Sequence, residues 1–141
     1  MRLLTVVGTV ACLLVGAAHA AAAHSSVAQC GSQSIGPGSI ERHDGGGARC
    51  FLAAYKDHCR SASYELGMFG IDTIATRHFT LERSAGRCLV AVQTTFRVVP
   101  QPPHVTGHGT CRALRTVGSA VVATGCRGQG LAPTISLTAV G

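Results

Sequence analysis

The apolar positions of this chain change period along its length. Over 48–59 they recur at helical spacing. Stepped at 100° per residue, Phe51, Leu52, Tyr55 and Cys59 all fall within about 60° of Ala48, with Arg49, Lys56 and Asp57 off the stripe. Gly45, Gly46 and Gly47 carry a large entropic cost inside a helix, so the pattern predicts a start at or after them, with Asp44 as a candidate cap.

Beyond Cys59 the period becomes two. In 88–99 the residues Cys88, Val90, Val92, Thr94, Phe96 and Val98 share one face, opposite Gln93, Thr95 and Arg97. In 74–83 Ala75, Phe79 and Leu81 point one way, and Thr76, His78, Thr80 and Glu82 the other; Arg77 breaks the alternation. Ser84-Ala85-Gly86-Arg87 is short and polar, which predicts an antiparallel hairpin between the two runs. A shorter run at 63–68 keeps Tyr64, Leu66 and Met68 in step, with Gly70 and Asp72 marking the turn after it.

Prolines Pro100, Pro102 and Pro103 end the third run, and the residues through Gly109 read as an exposed, partly extended connector. Residues 111–117 and 120–126 read as two short strands around Gly118-Ser119. A two-residue turn there pairs residues whose numbers sum to 237: Val117 with Ala120, Arg115 with Val122, Ala113 with Thr124, and Cys111 with Cys126. Residues 127–133 read as a loop, and 134–140 as a strand at a sheet edge. The pattern as a whole predicts an α+β fold, one amphipathic helix packed on an antiparallel sheet of about four to six strands.

The N-terminus changes the picture of where this fold works. Arg2, the apolar run 3–16 and Ala18-His19-Ala20 form a secretory signal pattern over 1–20, too short and too rich in Gly and Ala for a membrane span. Residues 21–47 then read as a flexible leader ordered mainly near Cys30, and 48–141 as a single small domain. Lipidation at Cys12 is the lesser alternative, because Thr9-Val10-Ala11-Cys12 is a poor lipobox. The reading is therefore a secreted, extracellular protein.

Of the seven cysteines, Cys12 leaves with the signal and six remain. Six in an exported chain predict three disulfides. Cys50 and Cys59 are nine residues apart and on one helix would be separated by about 13 Å, too far for a bridge. Cys59 and Cys88 both face the helix–sheet interface, so they should pair. Cys30–Cys50 would tie the leader down, and Cys111–Cys126 would close the hairpin. With every cysteine paired, no thiol is left as a nucleophile. No C-x₂₋₄-C pair suggests zinc.

The whole chain carries a formal charge of +6, reduced by one when Arg2 is removed. Such a charge favours anionic partners such as wall polymers, lipid head groups or nucleic acid, and the partner expected is an extracellular protein or an anionic surface polymer. The arginines are scattered singly with no aromatic interleaving, which argues against nucleic acid. His104-x₃-His108 has the spacing of a helical metal pair, but it lies among prolines and glycines with no carboxylate beside it, so neither metal nor cofactor is expected. No G-x-S-x-G or phosphate loop occurs, and the aromatics are too scattered for a carbohydrate platform.

Two functional readings follow. The first is a rigid, disulfide-stapled binding or interaction domain of unassigned ligand, inhibitor-like if the 100–109 loop is presented to a target. The alternative is a small extracellular hydrolase or nuclease in which His58 and His78 act with a carboxylate, Glu65 or Asp72. The second requires the two histidines to share a cleft.

Overall fold

The computed structural model describes residues 27–37 and 46–138. The signal pattern, Cys12, the Asp44 cap, most of the leader and the end of the 134–140 run lie outside them. Ten elements follow in order: β1 (Ala28–Ile35), α1 (Gly46–Lys56), β2 (Ala62–Phe69), β3 (Thr73–Ser84), β4 (Arg87–Val98), β5 (His104–Cys111), β6 (Ala113–Val117), β7 (Ala120–Thr124), β8 (Arg127–Gln129) and β9 (Thr134–Ser136). One sheet has six strands in the order β1-β2-β3-β4-β5-β8, and a second has three, β6-β7-β9. Every pair is antiparallel except β1 with β2. The α+β reading holds: one helix packs against a mostly antiparallel sheet, with a small second sheet beside it.

The inner face of the large sheet carries the alternation read from the sequence. Tyr64, Leu66, Phe79, Leu81, Val90 and Val92 are buried there, against Phe51, Leu52 and Ala54 of α1 and Leu114, Val121, Ala123 and Ile135 of the second sheet. Phe51, Tyr64 and Phe79 form the centre, with ring centroids 5.9–6.3 Å apart. The Tyr64 hydroxyl donates to the Leu137 carbonyl, and Gln33 Oε1 stands at the same distance of 2.9 Å. Burial pushes the Tyr64 hydroxyl pKa up to about 12. Arg77 stands on this same face, opposite Leu66 and Thr94, where half-burial lowers its pKa by desolvation.

Four local expectations are corrected. The helix begins two residues earlier than its apolar stripe, at Gly46, and ends at Lys56. Gly47 belongs inside it because a Cβ there would lie 2.7 Å from both the Cys30 carbonyl and the Tyr64 ring. The helix start is pressed so closely on β1 and β2 that only glycine fits, which outweighs its propensity cost. Cys59 consequently lies past the helix end rather than on its stripe.

The second correction concerns the leader, within which 28–35 is a full strand. Its register with β2 shifts between Gln29 and Ser32, and Gly31 takes a left-handed conformation at φ 77° to absorb the extra residue. The third is the connector, most of which is strand β5. Its glycines are there for closeness rather than flexibility: a Cβ on Gly109 would collide with the backbone at Arg127 and Gly128 of β8. Finally, residues 127–129 of the expected loop form β8, paired to β5.

The three disulfides join Cys30 to Cys50, Cys59 to Cys88 and Cys111 to Cys126. The β6–β7 ladder runs in the register that sums to 237, from Ala113↔Thr124 to Val117↔Ala120. Gly118 has φ 59° while Ser119 is not left-handed, as a type II′ turn requires. The ladder stops there, however. Cys111 is the last residue of β5, paired with Val90, and the Cys126 amide donates to the Pro133 carbonyl. The bridge spans a chain corner with the Cα atoms 3.8 Å apart, closer than the roughly 5.5 Å of a ladder pair.

Candidate functional site

The residues proposed from sequence for acid–base chemistry are dispersed. His58 follows α1 and lines a cavity of about 410 Å³ with Tyr55, Cys59, Arg83, Gly86 and Cys88. His78 lies on the outer face and lines a different, smaller cavity of about 240 Å³ with Gln29, Gly31, Ser32, Ser63, Tyr64 and Glu65. Glu65 is directly opposite His78 in the ladder, and Asp72 is in the β2–β3 turn beyond the far end of both strands. The pair His58/His78 therefore shares no cavity. A base and its partner must lie within hydrogen-bond reach of one substrate atom, and these do not converge on one.

His104 and His108 are separated for another reason. The β4–β5 register shifts between Thr94 and Thr95, leaving Thr106 as an extra residue in β5. One added residue reverses the alternation. His108 therefore stands on the outer face opposite Gln93, while His104 faces inward edge-on to Phe96, ring centroids 6.0 Å apart. Among the described residues no group of three His, Cys, Asp or Glu could hold a metal ion.

Two surfaces remain. The outer face of the large sheet is crossed by a row in continuous register: Ser32, Glu65, His78, Gln93, His108 and Gln129. All six are exposed. Their neighbours on the strands are mostly short, Thr76, Thr80, Ala91, Thr95 and Thr110, so the row is polar.

The second surface is the end of the sheet where β2 turns into β3 and β4 turns towards β5. Ile71 is fully exposed there, and Phe69, Val99 and Val105 are 41%, 50% and 52% exposed. These are four of the six exposed large hydrophobic residues among those described; Val27 and Val117 are elsewhere. The end is held stiffly. The Gly70 amide donates to the Thr73 carbonyl at 2.8 Å, and the Val99 amide to the Asp72 carbonyl at 2.7 Å, which ties the two turns together. Gly70 is packed so that a Cβ would meet Thr73 Oγ1. Four exposed apolar side chains thus stand at this end of the sheet, with Asp72 in the same turn as Ile71 and Arg97 opposite Ile74 in the β3–β4 ladder.

Comparison with protein-family models, with curated proteins and with solved structures finds no match. The site must be read from its own geometry. Sequence reasoning placed Gly70 and Asp72 in a turn but passed over Ile71 between them; an aliphatic residue flanked by turn formers was the available signal.

Proposed function

We propose that this chain is a secreted, disulfide-stapled interaction domain that engages a partner protein through the apolar end of its large sheet. The observation that carries the reading is Ile71, wholly exposed on a turn tied to the neighbouring one, with Phe69, Val99 and Val105 at the same end. Exposed apolar side chains on a stiff support lose little entropy on binding and make effective anchors. Pairing of all six cysteines beyond Cys12 fits an oxidising compartment. Among the described residues no helix is long and apolar enough to cross a membrane. The 100–109 segment contributes through its first residues and Val105 rather than as a free loop, which keeps an inhibitor-like role within this reading. Catalysis through His58 and His78 lacks the shared cavity it requires.

The test is site-specific photo-crosslinking in native extracellular material. A benzophenone side chain at position 71 should yield a discrete, saturable adduct that excess unlabelled protein competes away. Excess Ile71→Ser/Val99→Ser should not compete. The same probe at position 93, on the outer face, and at position 87, at the opposite end, should yield none. A competed adduct at 93 or 87 with none at 71 would transfer the function to another surface.

A further inference from the structure

We propose that Cys59–Cys88 is a thiol–disulfide exchange site, opened by a small exogenous thiol such as glutathione that enters the cavity beside it. Both cysteines line that cavity of about 410 Å³, together with Tyr55, His58 and Arg83. Cys111 and Cys126, by contrast, are buried; in the third bridge Cys30 is buried and Cys50 exposed, and neither lines this cavity. Access is the first requirement for exchange.

Charge is the second. Arg83 is directly opposite Cys88 in the β3–β4 ladder, which sets the two Cβ atoms about 5 Å apart. Its guanidinium reaches across to donate to the His58 carbonyl, one residue from Cys59. A cation held beside a departing sulfur favours the thiolate and makes it a better leaving group.

Backbone strain is the third. His58 and Cys59 are consecutive non-glycine residues in the left-handed region, at φ 50° and 57°. That conformation is costly for an L-residue. The chain adopts it where it turns off α1 towards β2, and the turn is held by the Cys59 amide donating to the Tyr55 carbonyl, the Arg60 amide donating to the Ala54 carbonyl and the covalent link to Cys88. Opening the bridge leaves that turn held by its hydrogen bonds to α1 alone, while Cys88 stays fixed in its strand.

The thiolate of the incoming thiol attacks Cys59 Sγ; the Sγ–Sγ bond breaks; a mixed disulfide forms on Cys59; and Cys88 leaves as a thiolate beside Arg83. A second thiol attacks the exogenous sulfur of the mixed disulfide, leaving the Cys59 thiol and an oxidised small-molecule disulfide.

The folded protein is incubated with glutathione under native conditions, quenched with iodoacetamide at intervals, and mapped by peptide mass spectrometry. Cys59–Cys88 should open at least about tenfold faster than either other bridge, with the glutathione adduct on Cys59 and the alkyl label on Cys88. Arg83→Gln should slow this opening about threefold, and Arg83→Lys should restore it. Circular dichroism of each variant, and of the opened wild type, should remain that of the folded protein. Three bridges opening at one rate, Cys30–Cys50 opening first, an adduct on Cys88, or an Arg83→Gln rate equal to wild type would each overturn the proposal.

Discussion

The two ends of the large sheet are built from the same strands and differ in almost everything else. At the β3–β4 hairpin end, charge is concentrated: Lys56, Arg60, Arg83 and Arg87, with Asp57 and Glu82 among them. Asp57 and Arg60 form an ion pair at 3.7 Å. A disulfide fastens the helix exit to β4, and three non-glycine residues, His58, Cys59 and Ala85, are left-handed. Among the described residues at the Ile71 end, only Asp72 and Arg97 carry charge, no disulfide is present, and the large exposed side chains are aliphatic and aromatic. One end is restrained covalently at a cost in backbone conformation. The other is held by one backbone hydrogen bond within the β2–β3 turn and one between the two turns, and leaves its apolar side chains exposed. On the proposed function, stability and recognition are separated by the length of a strand.

That separation predicts a graded series of effects. The largest belongs to the bridge. Cys59→Ala/Cys88→Ala releases a constraint across a sequence separation of 29 residues and should cost about 3–4 kcal/mol in urea unfolding. A loss below about 1 kcal/mol would mean that the strain at His58 and Cys59 cancels the benefit of the bridge.

The next effect lies between the ends, at Tyr64. Its hydroxyl pKa is about 12 in the folded protein and about 10 in the unfolded chain. Because burial favours the neutral form, the associated stability is fully present below pH 10 and is lost as pH rises towards 12. Urea midpoints at pH 9, 10 and 11 should fall progressively, and Tyr64→Phe should flatten that fall while lowering the midpoint at pH 7 through the unmet Leu137 carbonyl. An equal alkaline decline in the variant would assign the effect to another group.

A smaller effect, of opposite sign, is expected at the hairpin turn. Ala85 and Gly86 have φ 48° and 73°, the conformation of a type I′ turn, for which Asn-Gly is the preferred pair. Ala85→Asn should therefore stabilise by about 0.5–1 kcal/mol, read from the thermal midpoint. No gain would show that the turn relaxes in solution.

How far the sequence could be read also differs between regions. The strands of the inner face were legible because Tyr64, Leu66, Phe79, Leu81, Val90 and Val92 must alternate to bury one side. The hairpin register was legible because Gly118-Ser119 admits one economical turn. The leader strand and β5 were not, since Cys30-Gly31 and His104–Cys111 carry no strong apolar alternation; β1 is held by pairing and a disulfide, and β5 by pairing and by glycines that allow close approach. The separation of His104 from His108 depends on a single bulged residue, Thr106, which leaves no mark in composition. At the candidate site the turn was legible but its function was not, because the exposure of Ile71 is set by how two turns are tied together.

The most direct test of the separation is equilibrium binding of the partner captured through position 71, compared between wild type and Ile71→Ser/Val99→Ser. The predicted result is affinity reduced by about tenfold or more, with an unfolding free energy within about 0.5 kcal/mol of wild type. Unchanged affinity, or a loss of affinity matched by a loss of stability above about 2 kcal/mol, would contradict the assignment of recognition to the apolar end.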